Sequence, residues 1–140
     1  MTKHAIELAD KRLVQDFLEG AGESLCRFRY FRTRSLEAIG SHLVTYVGTV
    51  GGKPVSYGHL DPCDGKVWLG VCVRWDDRGK GYGRKMMRSL LSFARDHSVD
   101  KVSLSVDRDN SRAIRMYESY GFREIPENES KDICFYEMET

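Results

Sequence analysis

The sequence predicts an α/β fold: one domain holding a mixed β-sheet flanked by helices, with a parallel strand pair within it. Three observations point there. Residues 43–50 and 54–60 are β-branched and aromatic runs joined by Gly51-Gly52-Lys53, a hairpin signature. Residues 67–73 are almost continuously apolar, as a central strand covered on both faces should be. An amphipathic helix over 84–97 and an alternating strand over 102–106 follow, and that strand-helix-strand order sets two strands parallel.

Taken in order, residues 9–18 place Leu13, Val14, Phe17 and Leu18 on one helical face, and Gly20 and Gly22 break that helix. A second, less regular helical stretch is expected within 23–39, with Gly40 as its stop. The hairpin comes next, then the buried strand. The 84–97 helix sets Met86, Met87, Leu90, Leu91 and Ala94 against the sheet and turns Arg84, Lys85, Arg88 and Arg95 to water. Val102, Leu104 and Val106 alternate with Ser103, Ser105 and Asp107, a strand with one polar face. Asp109 or Asn110 caps a further helix that stops at Gly121, and residues 133–138 read as a closing strand.

Composition narrows the function classes. A chain of 140 residues suits a single domain over 1–140, and 41% hydrophobic with 31% charged residues suits a packed core. The formal charge of +1 supplies no global field to recruit nucleic acid or an anionic membrane. The cysteines Cys26, Cys63, Cys72 and Cys134 form no C-x-x-C pair and the four histidines stand singly, so no metal is expected and reduced thiols point to a cytoplasmic protein. No run of eighteen apolar residues suggests a membrane span, and the charged start has no apolar core of a secretion signal.

The first chemical motif is RGKGYG, Arg78, Gly79, Lys80, Gly81, Tyr82 and Gly83, placed where a buried strand ends and an amphipathic helix begins. Glycines permit a tight turn and close ligand approach, and the first helical N–H groups lack internal partners, so together they can hold a pyrophosphate. Lys80 and Arg84 add positive charge at a helix end whose dipole prefers anions, which makes sense with a bound phosphate. The plainer alternative is a glycine-rich surface connection. The spacing is neither G-x-G-x-x-G nor a P-loop, so nicotinamide and nucleoside-triphosphate readings recede.

The second motif, DRDNSRAIRMYESYGF over 107–122, sets Asn110 seven residues before Tyr117. Seven residues are about two helical turns, so a capping amide and a phenol lie on nearly the same side, where both can meet one extended ligand. Its plainer reading is a cap followed by a core tyrosine.

Together the two segments resemble the GNAT superfamily of acyl-CoA N-acyltransferases, whose pattern is R/Q-x-x-G-x-G/A followed by D-N-x-x-A-I-x-x-Y-x-x-x-G-F; every fixed position is filled here. The resemblance implies acetyl-CoA as co-substrate, a small amine as acceptor, and a parallel pair splayed between the strand ending at Val73 and the strand ending near Val106. It implies that Val71, Cys72 and Val73 pair through their backbone with the pantetheine arm, and that Arg78, Gly79, Lys80, Gly81, Tyr82, Gly83 and Arg84 hold the pyrophosphate. Asn110 would touch the pantetheine, and Tyr117 would be the general acid protonating the departing thiolate. One position departs: five residues before Asn110, where some members that acetylate protein N-termini carry a glutamate base, this chain has Ser105.

A Lys-like ammonium with pKa near 10.4 must lose its proton before attack, at a cost of about 4.6 kcal/mol at pH 7. Without a glutamate at 105, the candidate bases are His59, Asp61 or a water chain held by Ser103 and Ser105. Cys72 near the thioester raises the alternative of an acyl-cysteine, but direct attack is usual in the resembled family and a buried strand cysteine commonly only packs. RFRYFRTR, residues 27–34, interleaves four arginines with aromatics in the region where that family builds its acceptor wall. Arginine suits carboxylate and phosphate, so an anionic acceptor such as an amino acid or phosphorylated amino sugar is expected, although helical geometry would let only about half the set face one ligand. Competing readings are a non-catalytic acyl-CoA sensor, a protein or peptide N-acetyltransferase, and a single-strand nucleic-acid binder that the neutral charge disfavours. Monomer and homodimer are both compatible with the sequence.

Overall fold

The computed structural model describes residues 3–126 and 131–140. A seven-stranded mixed sheet runs through it in the order β1-β2-β3-β4-β5-β7-β6. The strands are β1 (His4–Leu8), β2 (Val44–Val50), β3 (Lys53–Cys63), β4 (Lys66–Val73), β5 (Lys101–Asp107), β6 (Arg123–Glu124) and β7 (Ile133–Glu139). The helices are α1 (Lys11–Gly20), α2 (Tyr82–Asp96) and α3 (Ser111–Ser119). Among the described residues no helix is long and apolar enough to cross a membrane.

The hairpin forms as expected. Gly51 and Gly52 take φ of 58° and 82°, left-handed values that a two-residue turn between twisted antiparallel strands requires. On one face, Met86, Met87, Leu90, Leu91 and Ala94 of α2 pack with Leu60, Leu69, Val102 and Leu104. On the other, Val14 and Phe17 of α1 pack with Val47, Tyr57 and Cys72. Gly58 makes room for α2, since a Cβ there would lie 2.6 Å from the Met86 side chain.

Four expectations need correction. Strand β1 was not expected: it is an edge strand with Leu8 76% exposed, so no apolar run marks it, and only pairing with β2 makes it a strand. Residues 23–39 do not form an α-helix but short 3-10 turns, Gly22–Cys26, Tyr30–Arg32 and Leu36–Ser41. There the rings of Phe28 and Phe31 converge on Tyr57, and the guanidinium of Arg29 bonds the Cys26 carbonyl at 2.8 Å, contacts that replace a regular i−4 ladder. Strand β4 is not covered on both faces throughout; Leu69 and Cys72 are buried while Val71 and Val73 are half-buried. Helix α2 starts at Tyr82, so Gly83 and Arg84 belong to its first turn rather than to the loop.

The reason β4 is open lies in its pairing. With β3 it is antiparallel along its full length, from Ser56↔Val73 to Cys63↔Lys66. With β5 it is parallel and pairs at Trp68↔Ser103 alone, so the two strands separate beyond that point.

Candidate active site

The separated ends of β4 and β5 open a cleft of about 1240 Å³. Val71, Cys72 and Val73 line it from β4, Tyr117 and Asn110 from α3, and Arg78, Gly79, Gly81, Tyr82, Gly83 and Arg84 from the turn into α2. Lys80 is not on its wall; its ammonium is held by Asp77 at 3.0 Å, with Arg74 on the other carboxylate oxygen at 2.5 Å. Asp77 lies below the ordinary carboxylate range because hydrogen bonds from Arg74 and Lys80 outweigh the opposing effect of burial.

The glycine turn is shaped for an anion. Gly79 and Gly81 take φ of 79° and 86°, and a Cβ on Gly81 would meet no protein atom within 4 Å, so the turn faces open cleft. Gly81 caps α2 with no side-chain hydrogen bond and no acidic residue follows in the first turn, leaving those N–H groups and the positive helix end to a ligand. Gly83 is different: a Cβ there would touch Met116 and Val73 at 3.5 Å, an ordinary packing distance.

The cations around this turn are mostly engaged. Arg78 stacks on Trp75, with its guanidinium carbon 3.1 Å from the ring centre, and bonds the Trp75 carbonyl. Arg84 reaches Ser119 at 3.3 Å. Arg112, which the motif reading did not single out, lies across the cleft with Nη2 3.2 Å from the Cβ position of Gly79 and makes no ion pair to a described residue. Its position in the motif is a variable one, so only the fold reveals it.

Asn110 caps α3 as expected, its Oδ1 accepting from the Ala113 N–H at 3.4 Å. Tyr117 is 8% exposed, its ring edge-on to Phe122, and its hydroxyl makes no hydrogen bond to a described residue. Burial first, and then the neighbouring Cys72, push the phenol up to about 12. Burial likewise pushes the Cys72 thiol up to about 12, which keeps it protonated and a poor nucleophile. The Val73 carbonyl is already taken by the Ser24 hydroxyl at 2.5 Å, so its pairing capacity for a ligand is smaller than expected.

At the far end of the cleft, His59 and Asp61 line the wall, and Ser105 does so from β5, whereas Ser103 is 2% exposed and absent from it. A water chain held by both serines is therefore not assembled. Cross-strand from His59 is Gly70, whose missing side chain makes room for the imidazole; a Cβ there would lie 2.6 Å from Nε2. Tyr57 Oη and His59 Nδ1 are 2.6 Å apart. Tyr57 is fully buried and has no other acceptor among the described residues, so the network assigns its proton to Nδ1 and leaves His59 Nε2–H as a neutral donor. Burial, with smaller effects of His42 and Arg34, holds His59 well below the ordinary histidine range.

Of the arginine segment, Arg27, Arg29 and Arg34 line the cleft and Arg32 does not. Arg27 pairs with Asp107 at 3.0 Å and Asp109 at 2.5 Å, and Arg29 pairs with Asp107, tying the 3-10 turns to the end of β5. Arg34 lies 4.3 Å over the Tyr30 ring, and Arg32 points to the Leu25 carbonyl away from the cleft. Two of the four charges are thus paired within the protein, which leaves less charge for an anionic acceptor than four free arginines would.

The sequence profile of the Acetyltransferase (GNAT) family matches residues 8–122. The chain belongs to the GNAT acetyltransferase family. Among solved structures, this GNAT chain is similar in fold to the PaiA N-acetyltransferase of Thermoplasma acidophilum in complex with coenzyme A, with a TM-score of 0.81, 16% identity and 99% of each chain covered. Among curated sequences it is 41% identical over 58 residues to a mycothiol acetyltransferase of Thermobispora bispora, a match covering 41% of this chain and 19% of that protein. It is 36% identical over 66 residues to a spermine/spermidine N(1)-acetyltransferase of Bacillus subtilis, covering 45% of this chain and 43% of that one. The matched stretch thus spans less than half the length of either relative. GNAT enzymes use acetyl-CoA, and the open, uncapped helix end beyond Gly81 fits its pyrophosphate.

Proposed function

We propose that this chain transfers an acetyl group from acetyl-CoA to a primary amine of a small acceptor by direct attack, with Tyr117 as general acid. The observation that carries this reading is the Tyr117 hydroxyl: buried, without a protein partner, and within electrostatic reach of Cys72 where β4 and β5 part. Acetyl-CoA supplies an activated acyl group as a thioester. The N–H groups opening α2 and the Arg112 guanidinium hold its phosphates, and the Asn110 amide borders its pantetheine arm. The backbone of β4 beyond Trp68, unpaired with β5, offers donors and acceptors to an extended chain and N–H groups to an oxyanion. As the C–N bond forms and the C–S bond breaks, Tyr117 Oη gives its proton to the leaving sulfur, and the proton lost by the attacking nitrogen returns to the phenolate through water in the cleft. Cys72 stays a thiol and takes no part as a nucleophile.

The acceptor is an amine; the anionic class suggested by the arginines is not carried forward, because Arg27 and Arg29 already hold Asp107 and Asp109. A catalytically silent CoA binder would share the glycine turn but not turn over. The deciding experiment follows CoA-thiol release over a panel of polyamines, amino acids, amino sugars and peptides. Saturable release with one amine class supports a transferase, and CoA binding without release from any amine supports the silent binder.

A further inference from the structure

The acceptor end of the cleft carries a directed hydrogen-bond chain. Tyr30 donates to Asp61 Oδ2 at 2.8 Å, and its oxygen lies 2.7 Å from His42 Nε2. His42 Nδ1 lies in turn 2.8 Å from Thr45 Oγ1. Because the Tyr30 proton goes to the carboxylate, His42 Nε2–H donates to Tyr30 and the Thr45 hydroxyl donates to His42. Every donor therefore points towards Asp61, which polarises the chain in one direction and fixes the carboxylate at the cleft wall. Burial lowers the pKa of His42, so the imidazole in this chain is neutral and the negative charge on Asp61 is left uncompensated by it.

The surroundings favour a cation. Asp61 Oδ1 has no partner among the described residues, and the cross-strand neighbour of Asp61, Trp68, lines the same wall as Tyr30 and Asp64. Arg34 already lies 4.3 Å over the Tyr30 ring and Lys66 5.8 Å over the Trp68 ring, so the group left to receive an ammonium is the Asp61 carboxylate. Arg34 is the opposing charge on the same wall, and Asp64 adds a second carboxylate there.

Position supplies the length. Tyr57 pairs with Cys72, the residue beside the Tyr117 phenol, and Asp61 lies four residues further along β3 on the same face. At about 3.3 Å per residue this is roughly 13 Å of strand. Resting on the transferase reading above, we propose that the acceptor is a long diamine or polyamine, whose distal ammonium is held by Asp61 while its other nitrogen reaches the thioester. His59, between the two, lines the stretch in which the aliphatic chain lies, and its neutral imidazole does not repel a cation.

The test compares three amines that differ in one feature each. An extended eight-carbon diamine, 1,8-diaminooctane, spans about the required distance; octylamine lacks the distal ammonium, and 1,3-diaminopropane has it too close. In the wild-type chain kcat/KM for 1,8-diaminooctane should exceed that for either control by about 10- to 100-fold, the usual worth of a hydrogen bond to a charged group. Asp61→Asn should abolish that advantage, lowering kcat/KM for 1,8-diaminooctane through KM by at least tenfold more than it lowers kcat/KM for octylamine. Calorimetric binding of 1,8-diaminooctane to the CoA-saturated chain, wild type against Asp61→Asn, gives a readout that does not depend on turnover. Loss of binding in the variant supports the assignment even where no amine is acetylated, an outcome that overturns the transferase reading instead. Equal kcat/KM or affinity for the three amines in the wild type overturns the assignment. So does an Asp61→Asn variant that slows octylamine as much as the diamine, since that is the signature of a general base or a damaged fold.

Discussion

Replacing Tyr117 with phenylalanine removes one proton donor and leaves the ring in place. The hydroxyl has no protein partner among the described residues, so no buried group is orphaned and the fold should lose less than about 1 kcal/mol. The size of the catalytic loss follows from acidities. The phenol stands at about 12, while a thiol in water ionises near 8.5. Complete proton transfer across that gap of roughly 3.5 units would be uphill by about 5 kcal/mol, leaving only a hydrogen bond to the developing sulfur anion. Such a bond is worth about 1.5–3 kcal/mol, or about 10- to 150-fold in rate. The cleft narrows the gap, however, because burial also raises the thiol beside Tyr117, Cys72, to about 12. A thiolate departing at the same depth is made more basic to a similar degree, and a matched general acid contributes about 10²- to 10⁴-fold. The two ranges overlap near 10². Single-turnover acetyl transfer in Tyr117→Phe should therefore slow about 100-fold, with the Kd for acetyl-CoA within twofold of wild type and no loss of Tm beyond about 3 °C. Retention of the wild-type single-turnover rate within twofold would refute the role and leave Tyr117 as a core residue.

Gly81→Val should fold, because its Cβ meets no atom within 4 Å, but it must hold φ near 86° and it projects into the anion site; CoA affinity should fall at least tenfold by calorimetry, and unchanged affinity would contradict the placement of the pyrophosphate. Arg112→Gln should weaken CoA binding about 10- to 100-fold, and it should weaken pantetheine, which carries no phosphates, by less than twofold; equal losses for both would show that Arg112 does not meet a phosphate. For His59 and His42 burial depresses the folded pKa below the unfolded value near 6.5, so their contribution to stability is present above that pH and is lost as pH falls below it towards the folded values. The urea midpoint should drop between pH 7 and pH 5, less steeply in His59→Gln, and an identical slope in the variant would remove His59 as a cause.

Much of this fold and half of its site were legible in the chain itself. Periodicity marks α2, β5 and the β2–β3 hairpin because each buries one face against a single neighbour, and the motif spacing marks the glycine turn, the Asn110 cap and Tyr117 because those depend on local backbone geometry. What the tertiary structure alone decided is everything that depends on residues far apart in sequence. Strand β1 exists only through its hydrogen bonds to β2, and 23–39 gives up a helix because Phe28 and Phe31 pack on Tyr57. Arg27 and Arg29 read as ligand-binding charges until the fold brings Asp107 to them from eighty and seventy-eight residues away. The chain Thr45, His42, Tyr30 and Asp61 likewise draws one member from the wall, two from β2 and the turn before it, and one from β3. Local geometry is written in short-range spacing, whereas charge compensation and proton position depend on which side chains the folded sheet brings within a hydrogen bond of each other.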